Sequence, residues 1–294
     1  MFPMDSTSLV KIIECPRDAM QGLTRFIPTD VKIRYINQLL QVGFDTLDMG
    51  SFVSPKAIPQ MRDTAQVLAQ INLSASKSKL LTIIANSRGA HDACHFEAVD
   101  YLGFPLSLSE TFQYRNTNKS IAEAFEELTV IHDICQEQNK KLVVYLSMGF
   151  GNPYGDTYDP ALIHAFVEKL DLLGVRIISL ADTIGAATPE SIDQIYTSTT
   201  RAFPHMEIGV HLHASPQSAT DKIKAAIAAG CRRIDGAIHG FGGCPMADDK
   251  LVGNIATESI IHHLEDLGIA SNLSADALSK AMAMAPEVFV TQQH

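Results

Sequence analysis

Short runs rich in β-branched and apolar residues recur eight times along the chain, and this recurrence limits the possible folds more than any other feature. Polar or glycine-bearing residues follow each run, and an amphipathic stretch comes next in most cases. The eight runs are VKIIE, FDTLDM, LLTIIAN, AVDYLGF, KLVVYLS, VRIISLA, IGVHLHA and RRIDGAI. Strands that alternate with helices predict a parallel sheet. Because there are eight units, we expect an α/β protein whose sheet closes into a (β/α)8 TIM barrel.

The amphipathic stretches predict the helices that cover this barrel. They lie over residues 30–42, 58–70, 121–138, 160–173, 190–202 and 218–229, with a shorter one near 87–94 and a further one in the tail 271–294. An open doubly wound sheet usually has a GxGxxG turn after its first strand, and this chain has ECPRD there. No linker-like segment divides the sequence. We therefore expect a single domain over residues 1–294, with the barrel at about 8–267 and a C-terminal helical extension at about 268–294.

Composition argues against several kinds of partner. Asp and Glu outnumber Lys and Arg by 33 to 23, so the formal net charge is −10. A nucleic-acid binder or a protein bound to anionic membranes needs a basic face, so we expect neither function. No stretch reaches the ~18 apolar residues of a transmembrane helix, and the first residues lack the pattern of a signal peptide. The five cysteines are scattered and form no CxxC pair, which indicates reduced thiols and a cytoplasmic location.

Two histidines stand at the end of the seventh run. In a barrel of this kind the chemistry lies at the C-terminal ends of the strands. His211 and His213 are separated by one residue, so in a strand their side chains point to the same side. Two imidazoles on one face form a metal chelate. The alternative is a pair of hydrogen-bonded polar residues near the mouth of the barrel.

Carboxylates stand at the ends of three other strands. The first run is followed by Arg17 and Asp18, the second ends near Asp48, and the sixth ends at Asp182. Unpaired carboxylates are costly inside a protein, so we expect a shared cation to account for them together. For the Arg17–Asp18 pair alone, a surface salt bridge is the alternative.

A glycine-rich loop, GFGGCP, follows the eighth run. Its glycines allow close approach to a ligand, and we expect Cys244 on this loop to be exposed and movable. Asn254 comes after the loop, and its amide oxygen is suited to bind a cation or to cap the next helix. Of the other cysteines, three are expected to be structural, namely Cys94, Cys135 and Cys231, whereas the role of Cys15 stays open.

Several of these segments together resemble the 3-hydroxy-3-methylglutaryl-CoA (HMG-CoA) lyase family, a group of barrel metallolyases with Arg-Asp at the end of strand one. The similar segments are PRDAMQ, SFVSPKAIPQM, SLADTIG, HLH and GFGGCPMADDKLVGN, and the resemblance runs from about Lys11 to Leu267. The cysteine loop and SFVSPK are specific to this family. The Arg-Asp and HLH pieces are also shared by related Claisen-type synthases and aldolases.

The resemblance implies a reaction and a set of roles. The reaction is the retro-Claisen cleavage of (S)-HMG-CoA, an acyl-CoA substrate, to acetyl-CoA and acetoacetate, and a homodimer is common in the family. Arg17 would stabilise the enolate of the departing acetyl-CoA, and Cys244 would be an acid/base. Asp182, Asp48 (where the family usually has Glu) and His211 would also be catalytic. The ligands implied for Mg²⁺ or Mn²⁺ are Asp18, His211, His213 and Asn254.

The sequence also departs from the family pattern. Ala19 replaces the usual Gly after Arg-Asp, and Ala214 stands where Asp is usual, which would remove a partner of the histidines. Residues 22–24 are Gly-Leu-Thr where the family often has Asn-Glu-Lys, so a contact to the CoA phosphates is lost or passes to Arg25 or Lys56. The alternatives to the lyase are a related synthase or aldolase of the same barrel, and a non-catalytic barrel that binds acyl-CoA or a partner.

Overall fold

The computed structural model of the protein describes residues 9–243 and 252–289, and its centre is a closed parallel barrel. Each strand pairs in parallel with the next, and the first strand also pairs with the eighth. The strands are β1 (Lys11–Glu14), β2 (Thr46–Ser51), β3 (Lys79–Ile83), β4 (Val99–Ser107), β5 (Lys141–Ser147), β6 (Ile177–Asp182), β7 (Glu207–Ala214) and β8 (Arg233–Gly236). The prediction of eight strands and of a (β/α)8 barrel is confirmed.

Helices follow the strands and cover the outside of the barrel. They are α1 (Pro16–Gln21), α2 (Thr29–Leu40), α3 (Thr64–Leu68), α4 (Ser87–Cys94), α5 (Glu110–Thr117), α6 (Ile121–Glu137), α7 (Pro160–Leu173), α8 (Pro189–Ala202), α9 (Ala219–Ala228), α10 (Thr257–Asp266) and α11 (Ala275–Val288). The helix predicted over 58–70 is a 3-10 turn followed by the short α3. None of the described helices is both long and apolar enough to cross a membrane.

Side chains alternate between two environments along the strands. One set packs between the sheet and the helices and forms the main core, for example Leu142, Val144 and Leu146 of β5. The other set points into the barrel interior, where Val143 and Tyr145 of the same strand belong to a second apolar cluster. This period of two is what a strand with both faces buried requires.

The segment after the first strand differs from the expected strand end. β1 stops at Glu14, and the chain turns at once into α1, which begins at Pro16. Proline is favoured in the first turn of a helix, because it has no amide hydrogen to leave unpaired there. Arg17 and Asp18 therefore stand on the first turn of a buried helix at the mouth of the barrel.

Two elements outside the eightfold repeat complete the mouth. A two-residue strand, β9 (Gly253–Asn254), pairs antiparallel with β7 and places Asn254 opposite His213. Helix α11 confirms the expected C-terminal helix. At the end of α11, the ring of Phe289 stacks on Phe241, with centroids 4.7 Å apart, and meets Tyr35 of α2 edge-on at 5.7 Å.

Candidate active site

The two histidines of β7 converge inside the mouth of the barrel. Their Nε2 atoms lie 3.2 Å apart, and both side chains are buried. The Nδ1 atom of His211 is 3.0 Å from a carboxylate oxygen of Asp235, and that of His213 is 3.0 Å from the carbonyl oxygen of Thr183. Both acceptors require a hydrogen on Nδ1, so in the neutral rings each Nε2 carries a lone pair. Two lone pairs that face each other repel unless a cation or a proton lies between them.

Asp18 brings a negative charge to the same place. One ligand atom each from Asp18, His211 and His213 can be chosen so that all three lie within 4.8 Å of one another. Burial raises the pKa of Asp18, but Arg17, the two histidines and the hydrogen bond from Asn254 outweigh it and bring the pKa to about 2. The carboxylate is therefore ionised at neutral pH, as a metal ligand must be.

Asn254 reaches this cluster through its amide nitrogen. Its Nδ2 donates to Asp18 at 2.8 Å and to the carbonyl oxygen of Phe241 at 2.9 Å. The sequence predicted the amide oxygen as the group that faces a cation. The structure thus places Asn254 beside Asp18 as expected, but with the donor end of the amide toward it.

Arg17 is held on two sides at the edge of the cluster. Its Nε donates to one carboxylate oxygen of Asp48 on β2 at 3.2 Å, and its Nη2 donates to the other oxygen at 2.5 Å. Its Nη1 donates to Asp18 and to Gln21 of α1, each at 3.0 Å. Burial raises the pKa of Asp48 to about 6, although Arg17 opposes the shift. The two-point contact with Asp48 fixes the guanidinium in one orientation.

Asp182 is paired with a lysine and is not a member of the group formed by Asp18 and the histidines. Its Oδ2 accepts a hydrogen bond from Lys222 of α9 at 2.6 Å, and its Oδ1 accepts one from the amide of Ala187 at 3.1 Å. The expectation that one cation accounts for the carboxylates of three strands is therefore wrong. Arg17 pairs with Asp48 and Lys222 pairs with Asp182, so of these three carboxylates Asp18 alone groups with the two histidines, although it too accepts a hydrogen bond from Arg17.

Comparison with known proteins identifies the family of the chain. The model of the HMGL-like family matches residues 10–284 of the chain. The chain belongs to the HMGL-like family. It is 33% identical to the hydroxymethylglutaryl-CoA lyase YngG of Bacillus subtilis, over 90% of this chain and 88% of the relative. It is 34% identical to the mitochondrial hydroxymethylglutaryl-CoA lyase of Mus musculus, over 92% of this chain and 83% of the relative.

Solved structures with the same fold include several HMG-CoA lyases. One, from Acenitobacter baumannii, is in complex with coenzyme A and 3-methylmalate; it has a TM-score of 0.89 at 32% identity and covers 96% of this chain and 92% of its own. Another, from Bacillus subtilis, has a TM-score of 0.88 at 32% identity and covers 95% of this chain and 93% of its own.

A second group of possible ligands overlaps the first in this HMGL-like protein. Cys15, His211 and Asp235 also lie close enough together to hold a metal. Burial raises the pKa of the Cys15 thiol well above its usual value, and the neighbouring carboxylates add to the shift. In this second group Asp235 already accepts the hydrogen bond from the Nδ1 of His211, whereas the Nε2 atoms of His211 and His213 face each other beside Asp18, so the group with Asp18 is the better site. Cys244, expected to be an acid/base of the HMGL-like site, lies outside the described residues.

Sequence reasoning missed two side chains that hold the HMGL-like site together. Asp235 orients His211 through a hydrogen bond to its Nδ1. It supplies the acidic partner that the sequence departure at Ala214 was expected to remove. Asp235 belongs to the eighth run and shares one side of that strand with Arg233, so the alternation along β8 was the available signal. Lys222 is the other, and its place in an amphipathic helix gave no sign that it is buried.

Proposed function

We propose that the protein is a hydroxymethylglutaryl-CoA lyase, which cleaves (S)-3-hydroxy-3-methylglutaryl-CoA to acetyl-CoA and acetoacetate. One observation carries this proposal: a chain one third identical to such lyases places Asp18, His211 and His213 in one buried group at the barrel mouth. Arg17 adjoins this group through Asp18. The coenzyme A bound to the Acenitobacter baumannii relative supports an acyl-CoA substrate.

We further propose that Asp18, His211 and His213 hold Mg²⁺ or Mn²⁺. Asn254 would be a fourth ligand through its amide oxygen, and the amide would then have to turn and give up the hydrogen bond from its Nδ2 to Asp18. The donors fit such an ion. Structural zinc sites are typically rich in thiolates, whereas this group offers a carboxylate and two imidazoles and contains no thiolate. The close approach of the two Nε2 atoms favours a positive charge beside them. When bound, the cation would polarise the substrate oxygens and so lower the pKa of the tertiary hydroxyl.

Arg17 supplies the positive charge for the second half of the reaction. Cleavage leaves a thioester enolate, and a guanidinium fixed before the reaction stabilises that charge without having to reorient. The two-point contact with Asp48 provides this fixation. Proton delivery to the enolate carbon is assigned to Cys244 by resemblance. Proton transfer by His211, catalysis by Asp182, a homodimer and a cytoplasmic location stay predictions.

The test is an assay of the purified protein with (S)-HMG-CoA. We expect acetyl-CoA and acetoacetate to form, activity to stop on treatment with EDTA, and Mg²⁺ or Mn²⁺ to restore it. In parallel, acetyl-CoA is offered with 2-oxoacids to test for condensation. Product from the condensation assay alone would show that the protein is a synthase. Absence of product in both assays, with metal present, would favour a non-catalytic barrel.

A further inference from the structure

The side chain of Arg233 lies inside the barrel. It is 1% exposed, and on β8 it points to the same side as Asp235, two residues along the strand. Gly209 of β7 makes room for it, since a Cβ atom there would lie 2.8 Å from the Arg233 Cγ. A charged guanidinium therefore occupies space that branched apolar side chains fill in most barrels of this class.

Within the described residues, this guanidinium forms hydrogen bonds at one end only, although its Cζ also lies 6.0 Å from the centre of the Tyr101 ring. Its Nη1 donates to Glu207 at 3.2 Å, near the N-terminal mouth, where Lys11 also contacts Glu207 at 2.7 Å. Among the described residues, its Nε and Nη2 have no hydrogen-bond partner, although both are buried. A buried donor without a partner destabilises the folded state, and it does so more strongly when the group is charged.

Three further polar atoms in the same interior also lack a partner among the described side chains and backbone. They are the hydroxyls of Tyr145 and Ser179 and the Oδ1 atom of Asp235. Tyr145 and Ser179 are paired in the register of β5 and β6, so they share a side of the sheet. The Tyr145 ring meets the His211 ring edge-on at 5.9 Å, and Asp235 bonds to His211 through its other oxygen.

These unpaired atoms complement one another. Arg233 offers donors, Asp235 offers an acceptor, and the two hydroxyls can do either. No direct hydrogen bond joins them within the described residues. A buried water makes about three hydrogen bonds and binds where several polar groups converge. We propose that the barrel interior holds a cluster of ordered waters that joins Arg233 to Asp235, Tyr145 and Ser179.

The cluster would give Asp235 a second anchor. One of its oxygens binds His211 and the other would bind water held by the Arg233 guanidinium, so the carboxylate could not rotate away from the imidazole. Polar contacts would then run from Lys11 and Glu207 at the N-terminal mouth to His211 at the opposite mouth. This inference does not depend on the reaction proposed above.

A crystal structure of the protein at high resolution tests the proposal directly. We expect at least one ordered water at about 2.6–3.2 Å from two or more of the Arg233, Asp235, Tyr145 and Ser179 atoms. A direct bond from Arg233 to Asp235, or an interior with no water peak, would overturn it. Neither outcome bears on whether the protein cleaves HMG-CoA.

Magnetic relaxation dispersion of water, which counts long-lived internal waters in solution, gives a second test. We expect Arg233→Met to lose at least one such water relative to the wild type. Arg176→Met is the control, since that side chain is 55% exposed and its variant should keep the full number. If Arg233→Met does not fold, Tyr145→Phe replaces it, because it removes one hydroxyl and little volume. A count unchanged in the interior variants would contradict the proposal.

Discussion

Lys222 and Asp182 form a buried ion pair, with Nζ 2.6 Å from Oδ2 and 3% and 0% of their side chains exposed. The same ammonium donates to the carbonyl oxygens of His213 and Gly185, at 2.7 and 2.9 Å. All three hydrogens of Lys222 are thereby used. Through these bonds Lys222 connects the end of β7, at His213, with the end of β6 and the turn that follows it.

We expect Lys222→Met to destabilise the protein strongly. It keeps the length of the side chain but leaves the charge of Asp182 buried without a partner, which typically costs about 3–5 kcal/mol. Urea denaturation followed by circular dichroism measures the loss. Lys224→Met is the matched control, because Lys224 lies on the exposed face of the same helix. Equal stability of the two variants would show that the ion pair contributes nothing.

The sequence was sufficient to predict the barrel and the residues at its mouth. Eight apolar runs are a repeated signal, and in a parallel barrel every strand end reaches the same face. This rule placed His211, His213 and Asp18 at one face of the barrel, and the resemblance to the HMG-CoA lyase family implied that they share one site. The spacing of the two histidines on a strand also predicted that they share one side.

Other features could not be predicted, because they depend on contacts between distant segments. The amphipathic pattern of the helix does not distinguish Lys222 from Lys224. The position of Asp182, 40 residues from Lys222, decides which lysine is buried. The pairing of Asp48 with Arg17 likewise depends on how α1 meets β2. A carboxylate at a strand end therefore indicates a site without telling which cation it faces.

The hydrogen bond from His211 to Asp235 leads to a prediction about metal affinity. Asp235→Asn keeps the shape but removes the charge that fixes the tautomer of the imidazole, so we expect Mn²⁺ to bind roughly 10–100-fold more weakly. Titration with Mn²⁺ followed by electron paramagnetic resonance measures it. Asp221→Asn, on the exposed face of α9, serves as the control. An unchanged titration would mean that Asp235 does not orient a metal ligand.

Cys244 supplies a prediction that separates proton transfer from metal binding. We expect Cys244→Ala to lower kcat for HMG-CoA cleavage by about 10²–10⁴-fold, the usual contribution of a general acid or base. Mn²⁺ affinity should not change, since none of the proposed ligands is altered. Cys94→Ala, a partly exposed cysteine of α4, should keep full activity. Wild-type turnover in the Cys244 variant would remove the thiol from the mechanism.

The buried carboxyl group of Glu14, at the end of β1, leads to a prediction about how the free energy of unfolding depends on pH. Burial raises its pKa to about 8, although hydrogen bonds from Thr257 and the Ile238 amide oppose the shift. In the unfolded chain the group ionises near 4.5, so between these values the folded protein keeps a proton that the unfolded chain has lost. The free energy of unfolding therefore falls as pH rises from about 4.5 through about 8.

Glu14→Gln isolates this effect, because glutamine resembles the protonated acid and cannot ionise. We expect the variant to gain stability relative to the wild type as the pH is raised from about 5 to about 9, measured by urea denaturation at each pH. Glu265→Gln changes an exposed carboxylate of α10 and should follow the wild-type profile. If Glu14→Gln and the wild type lose stability in parallel over this range, Glu14 is ionised throughout and its pKa is not raised.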